Sequence, residues 1–410
     1  MSANAAEALG IYIAVPFCRS KCTYCNFASG VYPASEHARY VERVIADVRS
    51  AGAWAAQMGV EVPQRVDSVY LGGGTPSLLA PELMERLFAA LRAEFDVDGG
   101  AEITVECAPA QLAEETLEAL VAAGVNRVSL GVQSFVDAEA HASGRLHTRA
   151  AVEADLARLR AAGIRNLNVD LIAGLAGQTM ESWRCSLDAL LASAVPHASV
   201  YMLEVDEDSR LGRELLAGGM RYKAGLVPDE EAIAAMYEEA IATLGAAGLA
   251  QYEISNFSRS GCASRHNLRY WKRRPYLGVG VDASSMLRAL PESGDTKMPP
   301  VLRSTTTDSL AEYLAGATVA ETAWLSEHQQ LEEAWFLGLR LNCGVEIAAL
   351  EREFGAERVA PALAVARQLV EDGLLEGDGR GFWLTSRGRL LSNEVFAEFL
   401  QIPGAPGDRH

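Results

Sequence analysis

The 410-residue sequence predicts an α/β fold whose first half forms an incomplete barrel. Three observations carry that prediction. Short β-rich runs alternate with amphipathic helical stretches, glycines stand where the helices should stop, and polar residues recur where the runs end. The β-rich runs cover residues 11–15, 68–71, 102–106, 127–132, 166–172 and 199–203. Helical periodicity fills the gaps over 35–58, 81–95, 114–123, 149–162 and 179–194. Pro81 and Glu82 suit a first helical turn, while Gly124 and Gly163 suit helix ends. Strands alternating with helices imply a parallel sheet with helices packed outside it, and six such units suggest a barrel that does not close.

The second half changes character. A helix is expected over 229–248, followed by Tyr252-Glu253-Ile254-Ser255-Asn256-Phe257, then Arg265-His266-Asn267-Leu268-Arg269-Tyr270-Trp271 and a glycine-rich run over 276–285. Residues 291–300 read as a surface loop or linker. Helices over 326–341 and 360–371, a short strand over 382–385 and a helix over 387–400 suggest a mostly helical, winged-helix-like domain. That module lacks a concentrated basic face, which favours a packing or partner role over DNA binding. The division expected is a barrel over 8–250 and a C-terminal unit over 251–405.

Apolar residues at 49% and charged residues at 22% describe an ordinary soluble globular chain. Seven cysteines, an odd number without regular spacing outside one loop, argue against a disulfide framework. Residues 1–10 have no basic segment or apolar core of a signal peptide, and no apolar run reaches membrane-spanning length, so a cytoplasmic location is expected. A net charge of −18 repels nucleic acid and favours a small-molecule or protein partner.

The chemistry concentrates in Cys18-Arg-Ser-Lys-Cys22-Thr-Tyr24-Cys25. Soft thiolates select zinc, Cu(I) or iron–sulfur clusters. A structural zinc site wants four ligands, whereas three thiolates fit three corners of a [4Fe–4S] cube and leave one iron open. A zinc knuckle is the alternative. The loop follows the first predicted strand, and four other segments bring polar groups or bare backbone to the same rim: Gly72-Gly73-Gly74-Thr75-Pro76, Glu106, Gln133 and Asp170. The glycines admit close backbone approach to a ligand or simply make a tight turn. Glu106 and Asp170 can hold ribose hydroxyls or an ammonium group, or pair with a structural base. Gln133 and Arg145 can bind a ligand or satisfy backbone. Cys107, Cys185, Cys262 and Cys343 read as ordinary thiols.

Tyr12, the 18–25 loop, residues 72–76, Gly131-Val132-Gln133-Ser134-Phe135, Gly144-Arg145-Leu146-His147 and Asp170-Leu171-Ile172 together resemble the HemN/HemW branch of the radical S-adenosylmethionine (SAM) superfamily. So do Phe336-Leu337-Gly338-Leu339-Arg340 and Leu384-Thr385-Ser386-Arg387-Gly388 near the C-terminus. The resemblance implies a partial (β/α)6 radical-SAM barrel with a [4Fe–4S] cluster on Cys18, Cys22 and Cys25, whose open iron takes the amine and carboxylate of SAM. An electron from such a cluster breaks a carbon–sulfur bond of SAM and releases a 5′-deoxyadenosyl radical. By the same resemblance Tyr12, Gly73 and Glu106 touch one SAM, while Tyr24, Gly74, Thr75, Gln133, Arg145 and Asp170 match a second SAM site. HemN-type coproporphyrinogen III oxidases have a fourth cysteine two places after the third, where this chain has Phe27. The segment from His266 to Trp271 is instead similar to the H-N-x-x-Y-W signature of HemW-type haem chaperones, which implies haem as ligand and a haem-accepting protein as partner. A flavodoxin- or ferredoxin-like electron donor and a homodimer are further implications.

Within that segment His266 is a candidate axial haem ligand, Tyr270 and Trp271 offer flat apolar surface, and Lys272, Arg273 and Arg274 suit propionates. Alternatively His266 stitches a loop while the aromatics fill core. Stacking on RNA bases ranks third, given the net acidity. Two other activities fit the branch: oxygen-independent coproporphyrinogen III oxidation, and radical methylation or haem opening.

Overall fold

A computed structural model describes residues 7–290, 299–317 and 319–400. Six strands run parallel in chain order: β1 (Leu9–Val15), β2 (Arg65–Gly73), β3 (Asp96–Cys107), β4 (Arg127–Gln133), β5 (Asn166–Ala173) and β6 (His197–Met202). On one face of each, Val, Ile and Leu are buried beneath the surrounding helices, as a covered parallel sheet requires. The covering helices are α1 (Ala34–Met58), α2 (Pro81–Glu94), α3 (Glu114–Ala122), α4 (Asp137–Ala142), α5 (Arg149–Ala161) and α6 (Met180–Ala192). Thr179 starts α6 with a capping box shared with Ser182, and Trp183 on the same helix is buried with its Nε1 donating to Met236 O (2.7 Å). The expected barrel units are thus present, with α4 as an additional short helix between β4 and α5.

After β6 come α7 (Arg210–Leu216) and α8 (Glu230–Ala246), and then the chain returns to the sheet. Strands β7 (Ala250–Glu253) and β8 (Asn256–Ser258) extend it antiparallel beyond β6. Helix α9 (Arg265–Trp271) crosses to the opposite edge. There β9 (Tyr276–Val279) pairs parallel with β1, and β10 (Ser284–Arg288), β11 (Val301–Thr306) and β12 (Val319–Leu325) continue antiparallel. The result is one twelve-stranded sheet in the order β12-β11-β10-β9-β1-β2-β3-β4-β5-β6-β8-β7. The boundary expected after residue 250 therefore falls inside this sheet. Most of the loop expected over 291–300 lies outside the described residues; Pro300 already accepts the N–H of Ala289, next to β10 (2.8 Å).

A second apolar core begins past β12. Trp335 on the helix Glu327–Leu339 is fully buried and stacks on Phe399 at 4.7 Å between ring centres. Helices Ile347–Phe354, Ala356–Glu371, Ser386–Leu390 and Ser392–Phe399 surround it with a small sheet of Val345–Glu346, Leu375–Gly377 and Gly381–Leu384. This is the helical, winged C-terminal domain expected. The single helix expected over 387–400 is two, broken at Leu391, whose backbone leaves the helical region (φ −105°, ψ 33°).

Candidate cofactor and ligand site

A cavity of about 790 Å³ opens at the carboxyl ends of the barrel strands and runs inward toward the C-terminal domain. Its lining includes Cys18, Cys22, Cys25, Tyr24, Gly73, Gly74, Thr75, Glu106, Gln133, Arg145 and Asp170. Of the cluster and SAM candidates, Tyr12 stands off this wall, and so do His266 and the residues from Tyr270 to Arg274 expected to meet haem. The cysteine loop is seated by main-chain hydrogen bonds from three directions. Cys18 N–H donates to Gly30 O (2.8 Å), Thr23 N–H to Ser143 O (3.0 Å), and Leu211 N–H to Thr23 O (2.8 Å). Gly144 lets α4 approach: its φ is +91°, and a Cβ there would lie 3.3 Å from Cys22 Cα. All three thiols are half-buried and free of disulfides. Burial pushes the Cys18 thiol up, and the neighbouring cysteines add to the shift. Among the described residues no three His, Cys, Asp or Glu side chains, these cysteines included, converge on a single-ion site. Three soft donors on one loop suit three corners of an iron–sulfur cube.

Beside the loop, the end of β2 is stitched to the chain after β1. Gly74 N–H donates to Val15 O (2.8 Å) and Thr75 N–H to Phe17 O (2.7 Å). A Cβ at Gly74 would sit 2.7 Å from Phe17 O, so this close approach needs glycine. Glu106 accepts from Tyr70 Oη (2.8 Å) and from Gly73 N–H (3.2 Å). Although the cavity opens onto it, Glu106 lies deep in the protein, and burial pushes its carboxyl up to about 7. Asp170 accepts from Ser129 Oγ (3.0 Å) and Asn168 Nδ2 (2.7 Å), and burial raises it as well. Tyr24 Oη, Gln133 Oε1 and Arg145 Nε are buried on this wall without hydrogen-bond partners, three atoms that a polar ligand would satisfy. Tyr12 stands one row behind, stacked on Tyr70 with 6.0 Å between ring centres.

The radical SAM superfamily model matches residues 12–190, and the HemN C-terminal domain model matches 325–391. The heme chaperone HemW of Lactococcus lactis is 32% identical over 389 residues, covering 95% of this chain and 96% of that protein. The chain belongs to the HemW family. HemW of Bacillus subtilis is also 32% identical, over 95% of this chain and 98% of the relative. The mouse radical S-adenosyl methionine domain-containing protein 1, mitochondrial, is 31% identical over 97% and 88%. Among solved structures, the coproporphyrinogen III oxidase HemN of Escherichia coli shares the fold, with a TM-score of 0.79 and 24% identity over 96% of this chain and 90% of that one. A radical SAM domain implies a [4Fe–4S] cluster and SAM, which together supply one-electron cleavage of a carbon–sulfur bond when bound.

The HemW-like segment from His266 to Trp271 takes the second of the two places the sequence allowed it, with His266 in the core rather than on the cavity wall. It forms α9, packed beneath the sheet, with His266 only 1% exposed. Both ring nitrogens are engaged: Nδ1 with Ser68 Oγ (3.0 Å) and Nε2 with Tyr270 Oη (2.9 Å). Its N–H donates to Glu102 Oε1 (3.0 Å), and burial lowers the imidazole to about 3. His266, a candidate haem ligand in the sequence, is thus placed as a neutral histidine of the core, because its position on α9 turns it toward β2. Arg273 pairs with Glu353 (2.6 Å), and the Arg340 guanidinium lies 4.2 Å from the Trp271 ring centre, so the motif joins the sheet to the C-terminal domain. By contrast Phe27, 60% exposed, lines the mouth of the cavity together with Leu146. The sequence reading missed Tyr70, Arg127, Asn168 and Ser199, which line the cavity from below the strand ends. Their signal was polar alternation: Glu102, Thr104 and Glu106 on β3, Arg127 and Ser129 on β4, Asn166, Asn168 and Asp170 on β5.

Proposed function

We propose that this chain is a haem chaperone that binds haem and passes it to an acceptor protein, with a [4Fe–4S] cluster on Cys18, Cys22 and Cys25 and SAM beside it. The observation that carries the reading against an oxidase is Phe27. At the place where the oxidase pattern has a fourth cysteine, this chain sets an exposed aromatic ring at the cavity mouth. Full-length similarity to heme chaperones supports the same choice. In this reading the cavity wall sorts by chemistry. Gly73 and Gly74 offer backbone edges, Glu106 and Asp170 take hydroxyl or ammonium donors, and Tyr24, Gln133 and Arg145 supply the remaining polar contacts. A flavodoxin- or ferredoxin-like protein reduces the cluster, in the cytoplasm, where thiols stay reduced.

The test is anaerobic reconstitution followed by two measurements on one sample. Haem titration should give a saturable Soret band, and coproporphyrinogen III should pass through unchanged. Cluster- and SAM-dependent release of carbon dioxide from coproporphyrinogen III would replace this reading with the oxidase.

A further inference from the structure

Arg127 opens β4 with its side chain on the cavity wall, yet the residue is only 1% exposed. Its Nε is buried without a hydrogen-bond partner, and among the described residues no carboxylate forms an ion pair with it. The carboxylates of the neighbouring strands are engaged elsewhere. Glu102 accepts the N–H groups of Arg265 and His266 at the start of α9 (3.0 Å each). Asp170 is held by Ser129 and Asn168. The two histidines in its field, His197 and His266, are kept neutral by burial and by the Arg127 charge itself. Thr104, the register partner of Arg127 on β3, carries a buried hydroxyl that also lacks a partner. Arginine cannot shed its proton, and Arg127 has the Asp170 carboxylate in its field without a direct ion pair, which leaves a buried guanidinium only partly compensated. A guanidinium on the cavity wall with its Nε unpartnered suits an anion with two acceptor oxygens.

Position separates this place from the cysteine loop. From Arg127 to Gln133 the strand climbs roughly 20 Å at about 3.3 Å per residue, so the arginine is rooted at the inner end of the barrel. A carboxylate beside the cysteines belongs to the other end. We propose that Arg127, with the Thr104 hydroxyl behind it in the sheet, forms a carboxylate subsite at the inner end of the cavity. Resting on the haem-binding reading, the group it holds is a propionate of haem, with the macrocycle toward the mouth.

The test compares haem with its dimethyl ester, which has no free carboxylate, on the reconstituted full chain. Wild type should bind the diacid about tenfold or more tightly than the ester, the range of one buried charge-assisted contact. Arg127→Gln should lose that preference while binding the ester as before, and Arg127→Lys, which keeps the charge without the fork, should retain part of it. Ligand-free Arg127→Gln should melt no lower than wild type, because Arg127 makes no direct ion pair for the substitution to break. Equal affinity of wild type for both forms, which needs no variant to observe, overturns the subsite. So does an equal loss for both in Arg127→Gln. If neither form binds wild type, the haem reading falls and the subsite is judged with propionate ion alone. Thermal stabilisation relative to chloride that depends on Arg127 then upholds it, and its absence overturns it.

Discussion

Glu106 sits between two roles at neutral pH. Its ordinary value of 4.5 rises to about 7 in the folded chain, chiefly by burial. The folded state therefore binds the proton more tightly than the unfolded state, and stability falls as pH rises from about 4.5 to about 7. Without ligand, the chain should melt higher at pH 5.5 than at pH 8 on account of this group, and Glu106→Gln should flatten that difference. An ammonium or hydroxyl donor from SAM favours the ionised carboxylate. SAM affinity, measured calorimetrically on reconstituted protein, should accordingly rise through pH 7 in wild type and become weak and pH-independent in Glu106→Gln. His266 makes the opposite case, a histidine whose work is finished within the protein. His266→Ala strands Ser68 and Tyr270 and should cost about 1–3 kcal/mol in denaturant unfolding. It should leave the haem Soret maximum where it was; a shifted maximum would restore the residue as an axial ligand.

At the level of elements, the six parallel strands were legible because each is long, apolar and bounded by helix signals. The sheet beyond them was not. Strands β7 and β8 are three or four residues long, β9 carries Gly278, and β9 joins the sheet through β1, far away in sequence, as Gly10 does with Tyr276. No local pattern encodes such pairing. The site divides in the same way. Residues at strand ends, such as Cys18, Gly74, Glu106 and Asp170, were visible as polar interruptions of apolar runs. Arg127 and Asn168 were read as strand interior, although their alternation with Val128 and Val169 put them on the cavity face. The missed α4 has a function of its own, since Ser143 and Gly144 at its end seat the cysteine loop. Gly144→Ala introduces a side chain at φ +91°, costing roughly 1–3 kcal/mol of local strain. Iron retained after reconstitution should fall in this variant, while far-ultraviolet circular dichroism stays that of wild type.

Across the whole molecule, the C-terminal domain completes a wall as well as packing on the sheet. Arg340, Leu390, Ser392 and Asn393 reach the cavity, and Asn342 N–H donates to Tyr252 O (3.0 Å) at the sheet edge. Weakening this domain should therefore weaken ligand binding without touching the cysteines. Trp335→Ala removes the central ring of its core and should cost about 3–5 kcal/mol. The expected outcome is a lower calorimetric transition and poorer haem titration with unchanged iron content. Loss of iron in parallel would show that the two halves fold as one cooperative unit.

The pairing of β1 with β9 also sets a timetable for biosynthesis. The ribosome makes the first strand and the three cysteines at once, but Tyr276 follows roughly a quarter of a minute to a minute later, at about 5–20 residues per second. Ser143 and Leu211, which pin the loop, emerge in between. Through that interval the thiols hang from a strand whose second neighbour has not been synthesised. Iron delivered during translation would meet an unshaped loop, so loading of this protein belongs after the last strands have closed over its first.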